Sequence, residues 1–319
     1  MNDSRFFQFL NDYPVFPING FITNTLAFIP IFAMLYIANV APLHNNCRYI
    51  ICVWALTYGG LYIVQLIFAK LDYDNPTGYM PLNMVEPPYR FNLYEWHVRI
   101  TTYSSSFEIA LSVERMVATI DPKHYHSSKT AWKTLIFVTI LMMFTSYEID
   151  AFVHSADHFV AGCILQAAIE VLVVLVGCIA SRVCRVRYES MYGKATLNER
   201  YQVKEAYEMS KAMIPALIAS YFLKTSTIVL LYAYFSVREE YPYFISYLEA
   251  YYYTIYTING TFSLCILLLK HPQLRKQTNR KLAPLCGIDA VEKISTTSNS
   301  AETEIYFTML SADWKLNIL

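Results

Sequence analysis

Hydrophobic residues are concentrated in seven segments, each long enough to cross a bilayer as a helix that rises about 1.5 Å per residue. Five of the segments are apolar throughout, whereas the third and the seventh carry polar stripes that hydropathy alone would miss. The seven segments cover residues 21–40, 49–69, 96–119, 131–149, 159–181, 212–235 and 247–269. The pattern predicts an all-α polytopic membrane protein whose membrane domain is a bundle of seven transmembrane helices.

The third segment, residues 96–119, is a poor hydrophobic segment. Its polar side chains recur at three- and four-residue spacing and therefore lie on one face of a helix. Because polar side chains that face lipid are energetically costly, we expect this face to look into the bundle, with the other helices packed around it. The stripe consists of Thr101, Ser104, Ser105, Glu108, Ser112 and Arg115.

The composition agrees with a membrane protein. The 319 residues are 55% hydrophobic and 16% charged, against about 25% charged residues in an average soluble domain. The 27 Tyr and 19 Phe suit a bundle, because aromatic rings line bilayer interfaces and bundle interiors. The formal net charge is zero, so the overall balance indicates neither a nucleic acid nor an acidic partner. The seven Cys show no metal-type spacing, and packing in apolar runs is their simpler interpretation.

Basic residues are distributed very unequally between the two sides of the predicted bundle. The side that carries the amino terminus holds four Lys and Arg residues, and the other side holds nineteen, while Arg99 and Lys224 lie within predicted spans. Cytoplasmic loops of membrane proteins are enriched in Lys and Arg. The amino terminus is therefore predicted to lie outside the cell and the carboxyl terminus in the cytoplasm.

Three ionisable residues lie near the middle of predicted spans: Glu108 in the third, Glu170 in the fifth and Lys224 in the sixth. An unpaired charge at this depth costs at least about 2.5–3.5 kcal/mol, so pairing or neutralisation is expected. We expect Lys224 to pair with either Glu170 or Glu108, which leaves the other carboxyl group protonated or available to a ligand. A purely structural tether is the alternative.

The seventh segment adds a second polar face, formed by Glu249, Tyr253, Tyr256, Gly260 and Ser263. Together with the third segment, this face predicts a partly polar, aromatic-rich cavity that opens outward between spans three, five, six and seven and suits a small organic ligand. Hydrogen bonding between helices is the alternative, and both can hold. The predicted ligand-binding residues are Ser104, Glu108, Glu170, Lys224, Glu249, Tyr253 and Tyr256.

Two further features bear on cofactors and metals. A buried lysine in a seven-span bundle allows a retinal Schiff base, but that lysine is expected on the last span, which has none between Leu248 and Leu269. His154 and His158 have the i,i+4 spacing of zinc ligands on a helix, but they fall in a short outer loop without a clear third ligand. The sequence therefore predicts no cofactor, no metal and no catalytic residue.

Glu114 and Arg115 lie where the third span reaches the cytoplasm. The planar guanidinium group of Arg binds carboxylates, so an adjacent Glu can hold it in one state and release it in another. A solvated charge pair at a helix end is the alternative. The position of the pair on the third of seven spans favours a switch.

The motif ERMVAT at 114–119, followed by the Tyr125 region and a short basic loop, resembles the nematode serpentine chemoreceptors of the class alpha superfamily, most of all class epsilon (Sre). The resemblance covers all seven spans. It implies a G-protein-coupled chemoreceptor in the plasma membrane of sensory neurons, and not an enzyme. It also implies a small chemical ligand and a heterotrimeric G protein as partners, with Glu114 and Arg115 at the switch. The N-P-x-x-Y motif of rhodopsin-like receptors is missing from the last span.

Four regions are predicted: an extracellular amino terminus (1–20), the receptor domain (21–269), a basic juxtamembrane amphipathic helix (270–286) and a disordered cytoplasmic tail (287–319). Asn2 begins an Asn-Asp-Ser sequon and is a glycosylation candidate. The basic helix is predicted to lie along membrane lipid, with Cys286 as a palmitoylation candidate. The basic residues between spans five and six can dock a G protein or rest against anionic lipid.

Two other classes of protein compete with the receptor interpretation. The first is a seven-span ligand-gated cation channel of the insect odorant receptor type, which is expected to have its amino terminus inside the cell. The second is a metal-dependent membrane hydrolase, which would require the His154 and His158 region to bind metal. A transporter is disfavoured, because the sequence shows no paired broken helices or repeated halves.

Overall fold

The computed structural model describes residues 15–74, 88–122, 125, 131–153, 159–191, 196–237 and 242–282. This part of the chain is almost entirely helical and contains seven long helices and a short one. The helices are α1 (Val15–Val40), α2 (Asn45–Asp74), α3 (Pro88–Ile120), α4 (Ala131–Val153), α5 (Phe159–Ser190), α6 (Leu197–Val237), α7 (Pro242–Lys270) and α8 (Pro272–Lys281).

The seven long helices coincide with the seven predicted spans, which confirms an all-α polytopic membrane protein. Within the described residues, α1, α2, α5, α6 and α7 contain stretches long and apolar enough to cross a membrane, and α4 contributes a shorter apolar stretch, Leu135–Tyr147. The expectation that composition would miss the seventh span was wrong, because its Leu-, Ile- and Tyr-rich sequence outweighs its polar stripe. The third span is too polar to be recognised by its hydropathy, as expected.

Helix α3 lies at the centre of the bundle. It packs against α2, α4, α5 and α6, while α7 closes the ring by packing on α6 and α1. Every residue of the predicted α3 stripe is buried. The outer faces of the other helices carry large exposed apolar side chains, as lipid-facing surfaces do. Examples are Phe21, Phe32, Phe137, Ile164 and Phe222. The central position of the polar helix is therefore confirmed.

Two predicted connections are shorter than expected, because the helices continue past the apolar segments. Residues 182–211 are mostly helical: α5 ends at Ser190 and α6 begins at Leu197. Arg, Lys and Glu in this stretch are good helix formers, so the helical conformation continues past the apolar segments. Thr196 and Glu199 start α6 with a capping box, in which Thr196 N donates to Glu199 Oε2 at 3.0 Å. Likewise α3 begins at Pro88, where a proline in the first turn suits the helix start.

Helices α2 and α7 approach each other closely at Gly260. A Cβ atom at this position would lie 2.3 Å from Tyr62 Oη and 2.5 Å from Tyr58 Cδ1. Only a residue without a side chain allows the two tyrosine rings to pack on the α7 backbone here.

The chain divides into two compact units, Met1–Thr278 and Asn279–Leu319. The seven-helix bundle belongs to the first, and the structure describes only residues 279–282 of the second. The basic helix α8 falls inside the predicted region 270–286. Asn2, Cys286, His154, His158 and the predicted tail lie outside the described residues, so the predictions made for them remain predictions.

Candidate functional site

Three charged side chains from three helices meet in the middle of the bundle. Lys224 Nζ on α6 lies 3.0 Å from Glu108 Oε2 on α3 and 3.3 Å from Glu170 Oε2 on α5. All three are buried, with side chains no more than 2% exposed. The sequence left open which carboxylate pairs with Lys224, and the structure brings it to both. We call these three residues the ion triad.

Hydrogen bonds complete the ion triad. Lys224 Nζ donates to Ser105 Oγ at 2.9 Å, and Ser105 Oγ donates to Glu170 Oε1 at 2.6 Å. Tyr58 on α2 donates to Glu108 Oε1 at 3.2 Å. Such bonds offset part of the cost of burying ions. With both carboxyl groups ionised, the triad would carry a net charge of −1, and such an excess is costly at membrane depth. A ligand that brings hydrogen-bond donors or positive charge would offset it.

A cavity of about 40 Å³ lies beside the ion triad, between α3, α5, α6 and α7. These are the four helices predicted to enclose the ligand. We call it the main cavity. Its lining combines hydroxyl, amide and aromatic groups with apolar side chains. The polar and aromatic lining residues are Tyr94, Thr101, Thr102, Gln166, Thr227, Tyr252 and Tyr256.

Two side chains connect the main cavity to the ion triad. Gln166 Nε2 on α5 donates to Glu170 Oε1 at 3.1 Å, one helical turn away. Thr227 Oγ1 on α6 lies 3.0 Å from Tyr256 Oη and 2.6 Å from the Lys224 carbonyl oxygen. A ligand that displaces Gln166 or Thr227 would therefore change the contacts of the buried charges.

His97 forms an aromatic cluster with the tyrosines of α7. Its ring centroid lies 5.0 Å from those of Tyr253 and Tyr256 and 5.5 Å from that of Tyr252. Gln65 Nε2 on α2 lies 3.0 Å from His97 Nε2. The two groups form one hydrogen bond, whose direction depends on the tautomer of His97. Sequence reasoning missed His97, although it precedes Thr101 of the polar stripe by one helical turn.

The structure does not bring all the predicted ligand-binding residues together. Glu108, Glu170 and Lys224 form the ion triad, Ser104 is buried on the same stripe, and Tyr256 lines the main cavity. Tyr253 instead packs on Phe68 of α2, with ring centroids 5.2 Å apart, and Glu249 lines neither this cavity nor the triad.

The single polar face expected on α7 is therefore divided. The helix packs against α1, α2 and α6, so residues on one broad face point to different neighbours. The ligand-binding role of each residue remains a prediction.

At the end of α3 that is predicted to face the cytoplasm, Arg115 is only 1% exposed and contacts two carboxylates. Its Nε and Nη2 atoms donate to Glu114, and its Nη1 lies 3.6 Å from Glu205 Oε1 on α6. Glu205 also accepts a hydrogen bond from the backbone nitrogen of His44 at 3.0 Å. We call Arg115, Glu114 and Glu205 the cytoplasmic latch. Glu205 was not predicted, because no local pattern indicates which helix Arg115 meets.

Tyr125, which follows α3, adds a further contact to the cytoplasmic latch. Its hydroxyl donates to Glu114 Oε1, and its ring centroid lies 4.4 Å from that of His44. Burial and the negative charge of Glu114 raise the pKa of Tyr125 well above its ordinary value, so it stays a donor at physiological pH. The latch thus joins α3, α6 and the connection between α1 and α2.

The model of the family described as Sre G protein-coupled chemoreceptor matches residues 92–315, more than two thirds of the chain. The chain belongs to the Sre family. The resemblance drawn from ERMVAT and the following residues is confirmed, and the Sre match includes the ion triad and the cytoplasmic latch. The Sre family is a family of chemoreceptors and not of enzymes. A comparison with curated proteins found no significant match.

Among the described residues, no group of three or more His, Cys, Asp and Glu side chains could hold a metal ion. The predicted His154 and His158 pair lies outside those residues, so the hydrolase alternative is not tested by this observation.

Proposed function

We propose that the chain acts as a chemosensory G-protein-coupled receptor in the plasma membrane of sensory neurons. A small chemical ligand binds in the main cavity and the receptor signals to a heterotrimeric G protein. The observation that carries this proposal is the ion triad, which ties α3, α5 and α6 together beside the cavity. The helices that are long and apolar enough to cross a membrane agree with this role, and so does membership of the Sre family.

Ligand binding requires the helices to move. A cavity of about 40 Å³ has room for about three water molecules. An organic ligand larger than this must separate the four helices around it, and such a ligand favours the arrangement with the larger cavity. Binding and a change in helix packing are therefore coupled in this proposal.

Helix α6 is the element that carries the change to the cytoplasm. It contributes Lys224 to the ion triad and Glu205 to the cytoplasmic latch, and Pro215 lies between them. Proline removes one backbone hydrogen bond of the helix, so bending at this point is less costly than elsewhere. A shift of Lys224 in response to ligand would then move Glu205 away from Arg115.

The cytoplasmic extensions of α5 and α6 provide the surface for the G protein. Arg182, Arg185, Arg187 and Lys211 are exposed there. Release of Arg115 would add a further cation next to this basic surface. These basic residues could also contact anionic lipid. Docking of the G protein would depend on ligand, whereas contact with lipid would not.

The test is a ligand-screened second-messenger assay in cells that express the chain with a chosen G protein. A compound that activates the intact receptor should fail in Gln166→Leu, which loses the amide that contacts Glu170, and in Arg115→Ala, which loses the latch. Surface labelling shows that each variant reaches the membrane. An unchanged response in both variants at equal surface level would contradict the proposal.

A further inference from the structure

The two hydroxyl groups of α3 that line the main cavity already use their protons. Thr101 Oγ1 lies 2.8 Å from the carbonyl oxygen of His97, and Thr102 Oγ1 lies 3.1 Å from that of Val98. A carbonyl oxygen can only accept a hydrogen bond, so each contact uses the single proton of its threonine. As long as these bonds hold, both threonines offer a ligand lone pairs but no proton.

The hydroxyl groups of Thr227 on α6 and Tyr256 on α7 are engaged in the same way. Thr227 Oγ1 lies 2.6 Å from the carbonyl oxygen of Lys224, so the threonine proton lies in that bond. The contact of 3.0 Å between Thr227 Oγ1 and Tyr256 Oη is then a hydrogen bond that Tyr256 donates. This wall of the main cavity therefore also presents acceptors.

Gln166 supplies a donor to the main cavity. Its Nε2 lies 3.1 Å from Glu170 Oε1. The amide nitrogen carries two protons, so at least one stays available whichever way the amide is turned.

The main cavity does not suit an ion. Among the described residues, the side chains that line it are all uncharged. An ionic ligand would therefore lack a counter-ion in contact with it, which is costly at membrane depth. The lining favours an uncharged group that accepts one hydrogen bond and donates another.

A hydroxyl group both accepts and donates, whereas a ketone oxygen only accepts and an ammonium group only donates. We infer that the main cavity takes a small uncharged alcohol, whose oxygen accepts from Gln166 and whose proton passes to Thr101 or Thr102. The apolar body of the alcohol packs on Cys163 and Ile228. This inference rests on the proposed function, because it names the chemical class of the ligand that the proposal places in the main cavity.

2-Propanol and acetone are matched probes, because they share a skeleton of four non-hydrogen atoms and only 2-propanol has a hydroxyl proton. Their size is close to that of a cavity with room for about three water molecules. In purified full-length protein in detergent, the thermal unfolding midpoint should rise with probe concentration, and this dependence gives the dissociation constant. We expect a value of about 1 mM for 2-propanol.

Acetone should bind about 2- to 10-fold more weakly than 2-propanol, because it lacks one hydrogen bond between neutral groups. Isopropylammonium chloride has the same skeleton with a positive charge. It should shift the midpoint no more than sodium chloride does at the same concentration.

Two pairs of variants locate the bound alcohol. Cys163→Leu fills the main cavity and should abolish the shift, whereas Cys178→Leu, at an exposed position on the same helix, should keep it. Thr101→Val combined with Thr102→Val removes the lone pairs and should make 2-propanol and acetone bind equally. Thr57→Val is the control: Thr57 makes the same kind of backbone contact on α2, at 2.9 Å, outside the main cavity, and the preference for 2-propanol should persist.

Equal affinity for 2-propanol and acetone in the parent protein would overturn the inference, and so would tighter binding of isopropylammonium. A shift that persists in Cys163→Leu, or the absence of any shift with 2-propanol, would also overturn it. If the threonine double variant does not fold, the probe series and the two cysteine variants still decide. Equal binding of both uncharged probes would reject the alcohol but keep the main cavity as a ligand site, so the proposed function would stand.

Discussion

Arg115 on α3 and Glu205 on α6 form a buried charge pair, with Arg115 Nη1 3.6 Å from Glu205 Oε1. The same two helices are joined in the middle of the bundle, where Lys224 contacts Glu108. Helix α6 is therefore held to the central helix by one cation–carboxylate contact in the middle of the bundle and another at the end that is predicted to face the cytoplasm. Because both contacts are desolvated, breaking either has a larger energetic effect than breaking a surface pair.

Glu205→Gln should weaken the cytoplasmic latch and raise ligand-independent signalling. The variant removes the negative charge that faces Arg115, so α6 is free to move away from α3 more often. We expect a severalfold increase in basal second messenger per receptor at the cell surface. Asp74→Asn is the control, since Asp74 pairs with Lys70 at an exposed site away from the surface proposed for the G protein and should leave the basal level unchanged. An equal increase in both variants would contradict a role for the latch.

Lys224→Met should destabilise the bundle by about 3–5 kcal/mol, because it leaves two buried carboxylates without their cation. The measurement is thermal unfolding of the purified protein in detergent. Adding Glu108→Gln and Glu170→Gln to Lys224→Met should recover most of the loss, since the triple variant buries no unpaired charge. A single variant as stable as the parent protein would show that the ion triad does not hold the bundle together.

Gly260→Ala should destabilise the bundle by about 1–3 kcal/mol, because the added methyl group overlaps the ring of Tyr58 and the hydroxyl group of Tyr62. Displacement of Tyr58 also removes a hydrogen bond to Glu108. Gly59→Ala is the matched control on α2: its nearest neighbour would be Ile31 Cδ1 at 3.7 Å, an ordinary contact. Thermal unfolding should separate the two variants, and similar midpoints would contradict the close approach of α2 and α7.

Because of His271, the folded protein should become less stable in mildly acidic solution. Its Nδ1 accepts a hydrogen bond from Leu274 N at 3.3 Å and caps α8. Burial, with a smaller effect of Arg115, lowers its pKa to about 4. The unfolded state, with an ordinary pKa near 6.5, therefore binds a proton first as the pH falls.

The contribution of neutral His271 to stability is complete above about pH 6.5 and is lost as the pH falls towards 4. The unfolding midpoint should drop by several degrees between pH 7 and 5. His271→Asn keeps a capping acceptor that does not titrate, and its midpoint should depend less on pH in this range. Parallel pH curves for the two proteins would assign the effect to other groups.

An epitope placed before Asp12 should be reachable by antibody on intact cells. The reason is the excess of nineteen against four basic residues on the side opposite the amino terminus. A second epitope after residue 319 should be reachable only after permeabilisation and serves as the control. The reversed result would favour the channel of the insect odorant receptor type.

The helical period explains why much of this protein was predictable. A repeat of 3.6 residues places Ser105, Glu108 and Arg115 on one face of α3 whatever surrounds the helix, and the cost of polar groups in lipid then requires that face to be buried. The same cost predicts a partner for Lys224. These inferences depend only on positions along one helix and on the solvent around it.

The partners themselves were decided by tertiary structure. The tilt, rotation and packing of the helices decide that Lys224 meets both Glu108 and Glu170 and that Arg115 meets Glu205. They also decide that Tyr253 packs on Phe68 whereas Tyr256 lines the main cavity. The periodicity of one helix carries no information about its rotation relative to a neighbour, because that rotation minimises the free energy of all the contacts in the bundle together. The sequence alone therefore determined which groups are buried, and only the packed bundle determined which of them touch.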